Sequence, residues 1–196
     1  MSNIVNLGPS QEDRILDAAR RCVDRWGINK LTIDDVATEA GVSRATLYRL
    51  FPGGKDVMFD ALRVRELEDF FEGMSAKLTE VESLLDFTVK VSVYALHAMR
   101  GDQHLAMMLS TEEGTALKSL TVEGLPRILR VASQYITPLA LEFIPAEEAD
   151  VFVEMLARLV ISYFLAPSEH FDLADPDSAR KFFGPFISAL NAVAAV

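Results

Sequence analysis

The run from Thr32 to Phe51, TIDDVATEAGVSRATLYRLF, admits few folds: it reads as two short helices set at an angle by one glycine. Thr32 and Asp35 stand three apart, so the hydroxyl accepts the Asp35 N–H while the carboxylate reaches back to the Thr32 N–H. Leu31 and Val36 flank this cap at the spacing of a hydrophobic staple. The pattern repeats one helix later, with Ser43 as cap and Val42 and Leu47 as staple. Between the helices, Gly41 supplies the left-handed conformation that a sharp reversal needs. Small Ala37 and Ala40 let the two helices cross closely. This is a helix-turn-helix pattern, whose second helix enters a DNA major groove in such units. Its outer face carries Ser43, Arg44, Thr46, Tyr48 and Arg49. Hydroxyls and guanidinium groups of this kind bond phosphates, and Arg44 has the fork that matches a guanine edge.

A third helix precedes the pair. Ser10 and Asp13 form its capping box, and Ile15, Ala18, Ala19, Cys22, Val23 and Trp26 follow at helical spacing until Gly27 ends it. On that spacing Trp26 is expected to plug the core of a three-helix unit. Beyond Phe51, Pro52-Gly53-Gly54 makes a turn and Lys55 opens a long helix. The free N–H groups at such a helix start, with the Lys55 charge, suit a phosphate.

Residues 10–60 resemble the DNA-binding domain of the TetR family of bacterial transcriptional repressors. The resemblance is carried by Thr32, Val36-Ala37, Ala40-Gly41-Val42-Ser43, Thr46-Leu47-Tyr48, Phe51 and Lys55. It implies that Thr32 and Lys55 touch phosphates while Arg44, Thr46 and Tyr48 face the groove. Three positions depart from the family pattern. Ala45 stands where glycine is common, Leu50 where histidine is common, and Gly53-Gly54 where a hydroxyl usually caps the next helix.

The chain has 196 residues and a net charge of -10, the wrong sign for a simple electrostatic DNA binder. Residues 1–60 hold eight Lys/Arg against nine Asp/Glu, so most of the excess acid lies beyond them. Attraction to DNA must come from a locally basic face of Arg44, Arg49 and Lys55 rather than from a global field. Residues 1–9 lack Lys and Arg, which argues against a basic minor-groove arm. The lone Cys22 cannot form an internal disulfide and sits on an apolar stripe, as a buried thiol does. No signal peptide is evident, and the most hydrophobic helix carries Glu154 and Arg158, so a soluble, cytoplasmic protein with no membrane partner is expected. Phosphate loop, nucleophile elbow and metal-spaced Cys/His cluster are all missing from the sequence; His97 and His104, near Glu112 and Glu113, make a poor metal set. Neither an enzyme, a cofactor nor a metal is expected.

The fold expected is all-α, with a three-helix DNA-binding domain over 1–54 and a helical-bundle ligand-binding and dimerisation domain over 55–196. Lys55–Leu78 reads as the connecting helix. Val81–Met99 is apolar almost all round, as a central helix is. Asp102 starts a short helix through Leu109, residues 111–124 look irregular, and Leu125–Phe143 is helical with a kink at Pro138. The final helix begins with Asp175 as cap and Pro176 at its first position. Its apolar face, and that of the helix before it, need cover. The TetR resemblance implies a four-helix homodimer interface there, assigned to Leu159, Tyr163, Phe182, Phe183, Phe186 and Leu190. A two-fold pair would read palindromic half-sites roughly 34–36 Å or a multiple apart.

The same resemblance implies a small-molecule inducer. By residue type Phe87, Val91, Tyr94, His97, Met107, Met108, Leu129, Phe152 and Met155 are expected to line an apolar pocket, with Tyr94 or His97 as polar anchor. Ligand there would tilt the Lys55–Leu78 helix and spoil the half-site spacing. The alternative is a DNA-binding protein with no ligand, whose helical domain makes protein contacts.

Overall fold

The structure is a computed structural model, which describes residues 10–28, 30–102, 105–106, 120 and 124–194, the last four without their side chains. Every regular element among the described residues is helical: α1 Gln11–Trp26, α2 Ile33–Ala40, α3 Arg44–Leu50, α4 Lys55–Lys77, α5 Leu84–Gly101, α6 Leu125–Ala140, α7 Ala146–Leu165 and α8 Pro176–Ala194. None of these helices is long and apolar enough to cross a membrane. The chain divides into two compact units, residues 1–66 and 67–196.

In the first unit, α1 is started by the reciprocal Ser10–Asp13 cap and ended at Gly27. Ile15, Leu16, Ala18, Ala19, Cys22 and Val23 turn inward against Val36 and Ala37 of α2 and Leu47 of α3. Burial pushes the Cys22 thiol above its ordinary pKa, as suits an inert side chain. Trp26 is not the core plug expected: it is 44% exposed, with the Arg25 guanidinium 5.2 Å over its ring. It stands on the last residue of α1, where the helix has run past the partners that cover its inner stripe.

The expected domain boundary at residue 54/55 also differs from the observed division. The unit extends to Glu66 because Met58, Phe59 and Leu62 of α4 complete its core. Arg65 pairs with Asp17 and donates to the Asp13 carbonyl, while Glu66 accepts from Arg20 at 2.6 Å. A helix boundary is visible in sequence, but the place where a continuous helix changes allegiance is not.

In the second unit, α5 is central, with Phe87, Val91, Ala95 and Leu96 buried among residues of the later part of α4, α6, α7 and α8. Its buried Thr88 and Ser92 hydroxyls donate to the carbonyls one turn back, at 2.6 and 2.8 Å, so neither hydroxyl is stranded. Asp86 accepts from Lys90 at 2.9 Å and pairs with Arg180 of α8 at 3.4 Å. Arg100 grips Asp172 with both terminal nitrogens, at 2.9 and 3.2 Å, and so fixes the loop that leads into α8. The Asp175 carboxylate accepts the Ser178 N–H at 2.7 Å, the cap expected ahead of Pro176. Pro138 lies three residues from the start of the turn that ends α6, closer to its terminus than the expected span to Phe143 implied.

Candidate nucleic-acid interface

The local rules that write α2 and α3 into the sequence are met in the structure. The Thr32 hydroxyl accepts the Asp35 N–H at 3.3 Å and the Asp35 carboxylate accepts the Thr32 N–H at 2.9 Å. Gly41 takes φ +65°, and the Ser43 hydroxyl accepts the Thr46 N–H at 3.1 Å. Leu47 is fully buried and so fixes the rotation of α3. At about 100° per residue, burying Leu47 points Ala45 and Arg49 outward, with Arg44 and Tyr48 on one flank and Thr46 on the other.

The side chains expected at DNA are engaged in different ways. Arg44 donates to Asp34 at 3.1 Å and lies 5.5 Å over the Tyr48 ring. The Tyr48 hydroxyl first, and then the Asp34 carboxylate, hold the Arg44 guanidinium above its ordinary pKa. Tyr48 is 42% exposed, and its ring is backed by Gly54, where a Cβ would meet the ring at 3.0 Å. Gly54 has φ +71°, and its carbonyl accepts the Met58 N–H at 3.1 Å, so this glycine both starts α4 and makes room for Tyr48. Arg49 donates to Gln11 at 3.3 Å. Ser43 and Thr46 share a hydroxyl–hydroxyl bond of 2.9 Å.

Thr32 and Lys55, the two residues linked to phosphate contact, are both occupied. The Thr32 hydroxyl also donates to Asp35 at 2.6 Å, so a phosphate must compete with that carboxylate. Lys55 donates to the Ile28 carbonyl at 3.0 Å, and its ammonium lies 5.7 Å over the Phe59 ring. Most other cations of the unit are neutralised: Arg20, Arg21, Arg25, Arg63 and Arg65 all sit in ion pairs. These pairs leave few cations of the unit free of an acidic neighbour. Asp34 was missed by the sequence reading, because only the packing of α2 against α3 brings it to Arg44.

The second unit holds an apolar cavity of about 60 Å³. It lies among α4 (Phe70, Phe71, Met74), α5 (Val91, Ala95, Met99), α6 (Ile128, Ala132, Ile136) and α7 (Val153, Leu156, Ala157, Val160, Ile161). Small Ala95, Ala132 and Ala157 on three facing helices leave this space unfilled. Of the residues expected to line a pocket, Val91 does so. Tyr94 stands beside the cavity, its ring 5.9 Å from that of Phe70. Phe87 packs on Phe143 instead, Phe152 is a core residue and Leu129 is half-buried elsewhere. His97 is exposed and so is no anchor, and Met155, 52% exposed, faces out of α7 altogether. The cavity-lining residues fall instead in the helix rows 91, 95, 99 and 128, 132, 136, spaced i, i+4, i+8. Met107 and Met108 lie outside the described residues, as do His104, Glu112 and Glu113.

Met155 belongs instead to an exposed apolar stripe with Val151 on α7 and Phe186 and Leu190 on α8, at 69, 59 and 47% exposure for the latter three. Half-buried Leu159, Tyr163 and Phe182 lie beside it, and the Phe182 ring touches those of Tyr163, Phe171, Phe183 and Phe186 at 5.0–5.5 Å. Phe183, also expected at an interface, is only 6% exposed and belongs to the core of its own unit. It follows Phe182 by one residue, which turns it about 100° inward.

Capped short helices joined by a left-handed glycine turn define a helix-turn-helix unit. Residues 15–62 match the family described as bacterial regulatory proteins, tetR family. An uncharacterised HTH-type transcriptional regulator of Mycobacterium tuberculosis (strain ATCC 25618 / H37Rv) is 31% identical over 129 residues, covering 62% of this chain and 66% of the relative. A Mycobacterium bovis regulator of the same description is 32% identical over 132 residues, again covering 62% and 66%. The chain thus spans just under two thirds of the length of these curated relatives. Among solved structures, the TetR family repressor AlkX from Dietzia sp. superposes with a TM-score of 0.65 at 21% identity, covering 92% of this chain and 96% of that one. The repressor QsdR of R. erythropolis gives 0.61 at 18% identity, covering 87% and 90%. These two show the shared fold. Over residues 15–62 the chain thus carries the DNA-binding domain of the tetR family of bacterial regulatory proteins, and the solved structures share its fold.

Proposed function

We propose that the protein is a homodimeric repressor that reads a palindromic operator through α3 and is released by a small apolar inducer. The observation that carries the DNA reading is the geometry of α3. Buried Leu47 sets its rotation, with Arg49 outward, Arg44 and Tyr48 on one flank and Thr46 on the other. Ser43, Thr32 and Lys55 stand at the margins as phosphate contacts. One such helix reads too few base pairs for specificity, and the Val151–Met155–Phe186–Leu190 stripe is the face on which a second copy supplies the other half-site.

The cavity supports the inducer arm. A drug-sized apolar molecule needs a pocket of roughly 300–1,000 Å³. The cavity holds about 60 Å³, so such a ligand enters only by parting the helices. Phe70, Phe71 and Met74 of α4 are among those it would displace, and α4 runs without a break from Lys55. A ligand shifts the equilibrium only as far as it prefers the parted state.

The test begins with duplexes selected from a random pool by the full-length protein, measured by fluorescence anisotropy. Arg44→Ala is expected to relax discrimination at one base pair by about 1–3 kcal/mol. A panel of apolar molecules is then screened by thermal shift, and hits are added to the operator complex. A hit that stabilises the protein yet leaves operator affinity unchanged at saturation would refute release by ligand. Ala132→Phe, which fills the cavity, is expected to abolish the shift.

A further inference from the structure

The reading head holds one acid that neither its caps nor its neighbouring salt bridges use. Asp35 is committed to the Thr32 cap, and Glu39 to Arg21 and Arg25 at 2.8 and 3.6 Å. Asp34 instead points its carboxylate at Arg44, 3.1 Å away, while its backbone carbonyl accepts the Thr38 hydroxyl at 2.8 Å. Both partners of this pair are open to solvent, with side chains 63 and 60% exposed. As a stabilising contact it is therefore worth little. Its placement matters more. Arg44 is the first residue of α3, whose first turn has no acid, so a cation there stands at the positive end of the helix. Asp34 supplies the missing negative charge from the second position of α2.

We propose that Asp34 is a positioning residue for DNA specificity: it holds and neutralises Arg44, so that Arg44 is withheld from random phosphates and released only to a base edge. This rests on the DNA-binding reading above. The clamp has three jaws, the Asp34 carboxylate, the Tyr48 ring 5.5 Å away, and the Gly54 turn that backs the ring. A free arginine that meets a phosphate displaces a condensed counterion and gains from it. An arginine already matched by Asp34 must first lose a partner of the same charge, so a lone phosphate offers almost no net gain. A guanine edge offers two acceptors in the plane of the fork and repays the exchange. In a unit whose remaining arginines are mostly paired, this one clamp weighs heavily on the balance between specific and non-specific binding.

The test uses the full chain, its selected operator, and a scrambled duplex of equal length and composition, each titrated over a salt series. For Asp34→Asn, affinity for the scrambled duplex should rise roughly fivefold, the effect of one unit charge at contact distance in water. Its salt slope should steepen by about one unit. The operator-to-scrambled ratio should fall about threefold or more, in proportion to the non-specific gain. Asp34→Glu keeps the charge and should restore the wild-type ratio. In an Arg44→Ala background, Asp34→Asn should change scrambled binding less than about twofold, since the cation it releases is gone. The proposal is overturned if Asp34→Asn alone leaves scrambled affinity and salt slope unchanged. It is equally overturned if the gain persists without Arg44, because Asp34 would then act by plain repulsion of phosphate. Failure of the wild type to select any duplex would instead refute the DNA reading itself.

Discussion

Phe186 offers a sharp test of how two copies associate. It is 59% exposed, yet it stacks on the Phe182 cluster with ring centroids 5.5 Å apart, so its exposed face is held in place rather than free to turn inward. A phenylalanine has about 200 Å² to bury, which leaves roughly 120 Å² uncovered here. Covering that area is worth about 3 kcal/mol per protomer at about 25 cal/mol per Å², and about 6 kcal/mol for the pair. The full sum is an upper bound, because association also costs side-chain order and rotational freedom. Phe186→Glu removes this contribution and places a new negative charge on the apolar face of each copy. The dimer should weaken by about two to four orders of magnitude, measured by sedimentation velocity over a dilution series. Operator binding should fall with it, while thermal stability of the monomer stays near the wild-type value. Phe183→Ala is the contrast: its side chain lies in the core, so it should cost about 3–5 kcal/mol of folding stability at any concentration. If Phe186→Glu remains a dimer at every dilution, the α7–α8 stripe is not where two copies meet.

Three further outcomes follow from the reading head. Gly41→Ala meets nothing within 4 Å but inherits φ +65°, so it should cost about 1–2 kcal/mol through the backbone alone, read by urea denaturation. Thr32→Ala removes the cap of α2 and should cost about 1 kcal/mol. The Thr32 side chain, and then its N–H, hold the Asp35 carboxyl below its ordinary pKa. The unfolded chain therefore takes up that proton first, and stability should drain away as pH falls below about 4 towards the lowered folded value, less steeply in Thr32→Ala. Lys55→Ala should lower the salt slope of DNA binding by about one unit. It should also cost about 1 kcal/mol of stability by leaving the Ile28 carbonyl without its donor, which Lys55→Ala urea curves will report.

The helix-turn-helix was legible because everything that makes it is local. A cap needs residues three apart, a staple needs five, and Gly41 needs only its own φ. The second unit was legible as helices, with Asp175 and Pro176 marking the start of the last one. Even there local rules met their limit, since Gly184 and Pro185 argue against a helix that nevertheless runs on to Ala194. Buried Phe183 and Ile187 on either side hold it in place.

The sequence by itself determined the fold class, the helix-turn-helix, and the residues that cap and turn it, all from interactions between near neighbours in the chain. Tertiary structure alone decided what those side chains face. It left Met155 exposed, put Phe183 into the core of its own unit, and left Trp26 beyond the end of its core. It carried the first unit on to Glu66 and set Asp34 against Arg44, ten residues away in sequence. Each of these depends on how helices pack, and packing joins residues whose separation along the chain carries no periodic signal.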